Sequence, residues 1–363
     1  MEQKKDHFFK MTSGLRVEQR IKLNGLASDT DYSYIDFAGK DKIANGSFKT
    51  APNFQEPGVF KLVFGSCMHK IGVYNPNLVS QILKRKPHAM ALIGDIAVDG
   101  RENKINLHRA DYFLRDVSTA WKRLAANVPL YTSWDDHVYL NNDLNGIPYS
   151  FTNTDRQNLR AVWQQNWNNP ENEKEGIFFN TRIGPVELIM LVTHSCHTNE
   201  KRVEYVSYLG HEQFNWIEVT LKKPTASFNV TSSGIMWSDY ISKGKDSWGT
   251  WDTIARKEIF DFIEQEDISG VLLVSGDRHR VRAFKIPVTP EFTLYKLEAA
   301  SLSGVPGPNT MANETRNQLF GYAGDDLVAF GEFTSDSRAE KPTIVFRLIS
   351  QSGNILGEHK LAY

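Results

Sequence analysis

Short apolar runs that end in a polar side chain are the dominant pattern along the chain. One run, 271–275 (VLLVS), is rich in β-branched and aliphatic residues, as in a strand buried on both faces, and Gly276 ends it. Asp277, Arg278 and His279 follow at once in the predicted turn. Ligands of open α/β sheets bind at the carboxyl ends of the strands, so this turn is a candidate functional site.

Three more apolar runs end in the same way. KLVFGSC ends at Cys67, AMALIGD ends at Asp95, and VPLYTSWDDH ends in Asp135, Asp136 and His137. Four predicted strand ends thus carry thiol, carboxylate and imidazole groups, which favours one convergent site. Imidazole and carboxylate suit hard or borderline cations, and thiolate suits softer or trivalent ones, so the pattern predicts a metal centre.

Each of these residues also has an ordinary interpretation. A Gly-Asp pair at a strand end is more often a turn or a helix cap, a buried Cys is usually a small core residue, and a buried His is often satisfied by hydrogen bonds. Asp135 and Asp136 are the stronger signal, because adjacent carboxylates repel each other unless a cation or solvent relieves them. The co-occurrence of ligand types at four separate strand ends favours the metal interpretation over these alternatives.

Apolar residues at helical spacing separate the predicted strands and indicate an α/β fold with right-handed crossovers. The longest predicted helix has Phe113 and Val117 on its apolar stripe. We predict helices over residues 77–86, 107–127, 158–168, 210–221 and 254–266. We predict a hairpin over residues 177–192 and later strands over residues 294–297, 327–334 and 343–350.

The start of the chain has a different character. Residues 1 to about 10 are predicted to be a disordered tail, and residues 15–51 to form short strands. APNFQEPG, over residues 51–58, contains two Pro and a Gly and is typical of a linker. We therefore predict an N-terminal β segment over residues 1–52 and a main domain over residues 59–363.

The composition is that of an ordinary globular protein. Of the 363 residues 40% are hydrophobic and 23% are charged, and the formal net charge is -1. A net charge this small creates no strong electrostatic attraction to nucleic acid. No apolar run approaches the roughly 20 residues of a membrane span. The first residues, MEQKKDHFFKM, lack the apolar core of a secretory signal. Two cysteines, Cys67 and Cys196, cannot form a disulfide framework.

Several motifs together resemble one known family. GSC at 65–67, GD at 94–95, WDDH at 134–137 with NND at 141–143, and SGDRH at 275–279 look like the PhoD-like alkaline phosphatases of the metallophosphoesterase superfamily. The resemblance covers most of the chain. It implies a four-layer αββα sandwich preceded by part of a fibronectin-like β domain. It also implies a phosphomonoesterase or phosphodiesterase that depends on iron and calcium.

The resemblance implies a set of metal ligands. Cys67 is expected to bind a trivalent metal as a thiolate, and Asp95 is expected to bridge two metals. Asp136 is expected to bind the second metal, and Asp277 and His279 to complete the cluster.

Other residues are expected around the substrate. His137 and Asn142 would donate hydrogen bonds to the phosphate, and Arg278 would either offset its charge or point away from it. Asp135 is the less favoured ligand of the two adjacent carboxylates. The implied reaction is metal-assisted hydrolysis of a small phosphoester, with nucleic acid expected only as a substrate.

Two departures from the family pattern leave alternatives open. The family has a Tyr three residues after the bridging Asp, where this chain has Val98. The family's LDTRS is LVTHS here, so that Val192 replaces an Asp, and His194 is either a replacement ligand or a structural or surface histidine. These changes motivate an alternative function, a non-catalytic cell-envelope metal-binding protein with a degenerate site. A nuclease is a third interpretation, but it would need a basic groove, for which the net charge gives no support.

The resemblance implies an exported protein, periplasmic or extracellular, whereas the first residues contain no export signal. We therefore expect the chain to begin inside a longer precursor. The chain alone leaves the cellular location unknown.

Overall fold

Two mixed β-sheets with helices on their outer faces form the centre of the molecule. This architecture is that of a computed structural model of the chain. The structure describes residues 8–13, 16–53, 56–142, 150–170, 176–194, 208–222, 226–239, 247–305, 307, 317–322, 327–338 and 340–362, with side chains from residue 20 onward.

The six-stranded sheet combines three parallel strands with an antiparallel meander. Its order from edge to edge is β17 (Ile355–Ala362), β16 (Thr343–Ser350), β15 (Ala329–Asp336), β5 (Val59–Gly65), β6 (Ala89–Ile93) and β7 (Leu130–Ser133). Strands β5, β6 and β7 run parallel, and β15 pairs antiparallel with β5. Leu62 of β5 therefore lies opposite both Ala89 and Phe333.

The seven-stranded sheet has four parallel strands at its centre. Its order is β14 (Gln318–Tyr322), β12 (Val281–Pro287), β13 (Thr293–Ala299), β11 (Val271–Ser275), β10 (Phe228–Ser233), β9 (Val186–Met190) and β8 (Phe179–Ile183). Strands β9, β10, β11 and β13 run parallel, whereas β8, β12 and β14 are antiparallel to their neighbours.

Helices flank both sheets, and two hairpins precede them. The helices are α1 (His69–Val73), α2 (Pro76–Arg85), α3 (Ile105–Val117), α4 (Thr119–Ala125), α5 (Asp136–Tyr139), α6 (Asn153–Asn166), α7 (Gly210–Leu221) and α8 (Thr253–Gln265). The hairpins pair β1 (Phe8–Ser13) with β2 (Arg16–Ile21), and β3 (Asp31–Ala38) with β4 (Asp41–Lys49). Among the described helices, none has the length and apolar character that a membrane crossing needs.

Three apolar clusters separate four layers. In β5, Leu62 and Phe64 face the other sheet while Val63 faces the first helical layer, because successive side chains of a strand point to opposite sides. On the far side of the seven-stranded sheet, Leu273 packs in one cluster with Ile259 of α8. The fold is an αββα sandwich, which confirms the fold class expected from the sequence.

Most predicted elements are confirmed to within a few residues. The hairpin over 177–192 corresponds to β8 and β9, and the helices expected at 77–86, 210–221 and 254–266 correspond to α2, α7 and α8. Helix α6 begins earlier than expected, because the Thr152 side chain accepts the Asp155 N–H while the Asp155 carboxylate accepts the Thr152 N–H.

The long helix predicted over 107–127 is wrong. Ser118 adopts an extended conformation between α3 and α4, accepts the Trp121 N–H on its hydroxyl, and donates that hydroxyl to the Val73 carbonyl. Because of the break, the apolar residues of α3 and α4 do not form one continuous buried stripe. Phe113 and Val117, expected on a buried stripe, are 60% and 45% exposed.

Several strands differ from the predicted pattern. Strand β10 (FNVTSS) is short and partly polar and is not among the predicted strands, yet every one of its residues is buried. Strands β12 and β14 have no clear signal in the sequence, since β12 interleaves charged and apolar residues. Residues 8–10, expected in a disordered tail, belong to β1, whereas residues 1–7 lie outside the described part of the chain. The proposed domain division between residues 52 and 59 stays a prediction.

The charged face of β12 is buried against β13. Arg280, Arg282, Lys296 and Glu298 are all fully buried. Arg282 donates to Glu298 at 2.8 Å, and Lys296 also donates to this carboxylate. Burial alone would raise the pKa of Glu298, but the charges of Arg282, Lys296 and Arg280 outweigh it and lower that pKa to about 2. Glu298 is therefore the anion that balances this part of the interior.

Replacing Glu298 should destabilise the fold strongly. We expect Glu298→Ala to lower the free energy of unfolding by about 3 to 5 kcal/mol, because Arg282 and Lys296 lose their buried carboxylate. Urea unfolding measures this. Glu358→Ala, which removes the half-exposed partner of Arg347, is the control and should cost less than about 1 kcal/mol. Equal losses of unfolding free energy in the two variants would contradict the proposed role of Glu298 as the buried partner of Arg282 and Lys296.

Candidate metal centre

Parallel strands from both sheets end at one edge of the sandwich. The loops after β5, β6 and β7 come from one sheet, and those after β9, β10 and β11 come from the other. Gly276, just after β11, packs so closely that a Cβ there would lie 2.5 Å from Ser66 Oγ and 2.6 Å from the Ile93 carbonyl oxygen. The close approach at Gly276 joins the carboxyl ends of β11, β5 and β6.

The backbone at these strand ends is unusual. Among the described residues, ten other than glycine have a positive φ, and five of them are Cys67 (53°), His69 (44°), Asp95 (55°), Asp277 (68°) and His279 (51°). This conformation costs of order 1 kcal/mol or more per residue and persists only where the surroundings enforce it. Its concentration on residues with thiol, imidazole and carboxylate groups marks the loops as a functional site.

Four carboxylates form the first group of side chains. Oxygens of Asp95, Asp135, Asp136 and Asp277 lie within 4.8 Å of one another, and the first three residues are fully buried or nearly so. Burial raises the pKa of Asp95 well above its usual value, and the charges of Asp136 and Asp135 raise it further. A bound cation would favour the ionised form of Asp95, and the clustered oxygens suit a hard cation that prefers oxygen ligands.

One thiol and two imidazoles form the second group. Cys67, His69 and His279 have their ligand atoms within 4.8 Å of one another. Burial raises the pKa of the Cys67 thiol, and the charges of Asp95 and Asp277 add to this, so that only a cation would hold it as a thiolate. Burial lowers the pKa of His69 to about 4, and the imidazole is therefore neutral and able to act as a ligand.

Asp95 connects the two groups. Its Oδ2 lies 3.9 Å from Cys67 Sγ, and its oxygens also belong to the carboxylate group. This one carboxylate lies near the donors of both groups, and its role as a bridging ligand stays a prediction. The fit of donor types to two kinds of cation is the main chemical property of this site.

Comparison with known proteins identifies the family. A family model described as PhoD-like phosphatase matches residues 91–318, which is more than half of the chain. The chain belongs to the PhoD-like phosphatase family. The resemblance inferred from the sequence motifs is therefore confirmed.

Individual relatives of this PhoD-like protein are distant. Alkaline phosphatase D of Bacillus subtilis (strain 168) is 24% identical over 262 residues, which cover 64% of this chain and 43% of the relative. The chain thus spans less than half of that protein's length. A solved structure of PhoD has a TM-score of 0.69 at 16% identity and covers 96% of this chain and 79% of its own. Purple acid phosphatase PPD1 from yellow lupin seeds has a TM-score of 0.68 at 14% identity, with 93% and 60% covered. Both similarities support the metallophosphoesterase fold.

His137 lies beside the carboxylates of this PhoD-like protein and has a partner that the sequence did not reveal. Its Nδ1 is 3.0 Å from Asp99 Oδ1. Burial favours the neutral imidazole, but the close contact with Asp99 and the charges of Asp95 and Asp136 outweigh it and raise the pKa of His137 to about 10. Asp99 is therefore positioned to orient the His137 ring.

Arg278 and Asn142 have different surroundings. Arg278 Nη1 lies 3.2 Å from Asp277 Oδ2, and the side chain is only 2% exposed, which favours a role in holding Asp277. Asn142 is exposed, and its backbone N–H donates to Asn141 Oδ1. Asp143, the last residue of the NND motif, lies outside the described residues. The phosphate-binding roles of His137, Asn142 and Arg278 stay predictions.

His194 and Asp135 form a pair that the sequence left open. His194 Nε2 lies 2.7 Å from Asp135 Oδ1, and both residues are buried, so that His194 is not a surface histidine. Their ligand atoms also group with those of Asp136. Val98, at the position of the family's Tyr, is fully buried in an apolar cluster that also contains Val192.

His69 is a site residue that sequence reasoning missed, although a signal was present. It follows Cys67 by two residues, the spacing that separates His279 from Asp277. The apolar run before Cys67 marks the strand end, whereas His69 opens the next helix and is easily assigned to it.

The room for the Asp135 carboxylate depends on Gly234. A Cβ at Gly234 would lie 2.2 Å from Asp135 Oδ1. We expect Gly234→Ala to displace that carboxylate and to weaken the binding of a hard divalent cation, with Ca²⁺ as the probe, at least about tenfold, the scale seen when groups that orient a metal ligand are changed. Isothermal titration calorimetry measures the affinity. Gly39→Ala in the β3–β4 hairpin is the control: nothing lies within 4 Å of the new methyl group, and the strain of alanine at the φ of 65° there arises outside the site. A folded Gly234→Ala protein with unchanged calcium affinity would contradict the prediction.

Proposed function

We propose that this protein hydrolyses phosphate esters, as a phosphomonoesterase or phosphodiesterase of the alkaline phosphatase type, with metal cations held at the strand ends. The observation that carries the proposal is the carboxylate group beside the thiol and imidazole group, with Asp95 reaching both. Membership of the PhoD-like phosphatase family and the metallophosphoesterase fold support it.

Iron and calcium are the proposed cations. The thiol and imidazole group offers the softer donors that suit iron, and the carboxylate group offers the oxygen donors that suit calcium. Cys67, Asp95, Asp136, Asp277 and His279 are the proposed ligands. When bound, the cations would offset the charge of the phosphate and lower the pKa of water at the site.

The protein's own groups would bind and orient the substrate. His137, close to Asp99, lies at the edge of the carboxylate group and can offer an N–H donor. We propose that this N–H and the Asn142 amide bind phosphate oxygens. Arg278 would act through Asp277, because its guanidinium is buried against that carboxylate. The side chains that surround the cluster are mostly buried, which limits the access of water.

A small phosphoester is the proposed substrate, and nucleic acid enters only as a possible class of diester. Family membership also supports an exported protein, periplasmic or extracellular.

A second candidate function follows from two buried valines. Val98 and Val192 replace the Tyr and the Asp of the family pattern, and the structure places both in an apolar cluster. Gln213 fixes Val192 by accepting its N–H at 2.8 Å and donating to its carbonyl at 2.7 Å. A protein that binds cations without turning over esters would fit this alternative, a non-catalytic metal-binding homologue.

Asp277 tests the proposed function directly. We expect Asp277→Asn to lose at least one cation and to hydrolyse p-nitrophenyl phosphate and bis(p-nitrophenyl) phosphate at least about 100-fold more slowly, because the amide carries no charge. Asp267→Asn is the control: Asp267 is exposed and has a similar left-handed backbone, with φ 50°. If Asp277→Asn retains the cation content and the rate of the unaltered protein, the assignment of the site is wrong.

Cys67 tests which group holds the softer cation. We expect Cys67→Ser to lose iron and to retain calcium, because a hydroxyl stays protonated near neutral pH whereas a thiol can be held as a thiolate. Elemental analysis of the purified protein gives both contents. Rapid alkylation of Cys67 in the metal-loaded protein would show that the sulfur is not a ligand.

A further inference from the structure

The loop that carries His69 repeats the local conformation of the loop that carries His279. In Cys67-Met68-His69 the first and third residues have φ values of 53° and 44°. In Asp277-Arg278-His279 the corresponding values are 68° and 51°. Each loop follows a central parallel strand, β5 in one sheet and β11 in the other. His69 therefore stands to Cys67 as His279 stands to Asp277.

The imidazole of His69 is buried, and its two ring nitrogens make no hydrogen bond within the described part of the chain. The residue is 6% exposed, and neither ring nitrogen has a hydrogen-bond partner among those residues. Asp99 Oδ1 is 3.9 Å from Nδ1, which is too far for a hydrogen bond. Buried polar atoms without a partner are rare in folded proteins and require an explanation, such as an ion.

The neighbours of His69 are other ligand types. Its ring centroid lies 5.2 Å from that of His279 and 5.2 Å from that of His137. Its ligand atoms and those of Cys67 and His279 lie within 4.8 Å of one another. The backbone fixes this placement, because the His69 N–H donates to the Asp95 carbonyl at 2.8 Å.

We propose that His69 is a metal ligand that completes, with Cys67, His279 and Asp95, a four-donor site for one borderline cation. A thiolate, two imidazoles and one carboxylate are sufficient for a tetrahedral cation of the zinc class and also suit ferrous iron or cobalt. Asp135, Asp136 and Asp277 remain for the hard cation. The inference deepens the proposed function and rests on its requirement for metals.

Removal of the imidazole tests the proposal in the full chain, with Co²⁺ as the probe. We choose His69→Gly, because glycine adopts a positive φ without strain. The unaltered protein should bind Co²⁺ with a thiolate-to-cobalt absorption band. His69→Gly should bind it at least about 100-fold more weakly, since even groups that only orient a ligand change metal affinity by 10- to 100-fold. Added imidazole should restore the binding, and calcium affinity should stay within about twofold.

Two further variants complete the experiment. His88→Ala removes an equally buried histidine outside the site, whose Nδ1 accepts the Lys61 N–H, and should leave Co²⁺ binding unchanged. His69→Cys adds a second thiolate and should strengthen the absorption band. If the His69→Gly protein does not fold, the absorption band of His69→Cys alone tests whether residue 69 lies at the metal.

The outcomes separate this inference from the proposed function. If His69→Gly matches the unaltered protein in Co²⁺ affinity and spectrum, or if His69→Cys leaves the band unchanged, His69 is not a ligand. If the unaltered protein binds Co²⁺ through His69 yet hydrolyses neither ester when loaded with metal, the proposed function fails and the inference about His69 stands.

Discussion

The mutual repulsion of four clustered carboxylates, three of them buried, is the constraint on which the functional end of this structure depends. Burial raises the pKa values of Asp95 and Asp135, and the charges of neighbouring carboxylates raise them further, so that positive charge at the site favours the ionised forms of both. The Cys67 thiol is subject to a similar effect, because burial raises its pKa and the charges of Asp95 and Asp277 raise it further, so that a cation would be needed to hold it as a thiolate. The sheet order, the left-handed turns and the close contacts at Gly234 and Gly276 therefore hold groups of like charge together.

The sandwich supplies this arrangement by simple geometry. Parallel strands in two facing sheets bring their carboxyl ends to one edge, and residues in left-handed turns after these strands, such as Cys67, Asp95 and Asp277, carry the candidate ligands. Close contacts at Gly234 and Gly276 leave the space at this edge to the carboxylates and to the loop backbones. No one strand end contains a complete set of donors, so the chemistry belongs to the fold as a whole.

Local features are predictable from the amino-acid sequence, and pairings between distant residues are not. An apolar run followed by a polar turn is a local signal, and it is sufficient to identify the loops that carry Cys67, Asp95 and Asp277. The partnership of His137 with Asp99, and of His194 with Asp135, depends on how loops from different strands pack together. The break at Ser118 depends on a carbonyl 45 residues earlier in the chain, and it is unpredictable for the same reason.

The position of β5 has a consequence for how the protein is made. Cys67 follows β5, and β5 lies between β6 and β15. Strand β15 begins at Ala329, so the ribosome must add more than 250 residues after Cys67 before the second neighbour of β5 can pair with it. Until β15 has been made, β5 has a neighbour on one side only. The six-stranded sheet, and with it the strand that leads to the thiol, can therefore be completed only late in synthesis.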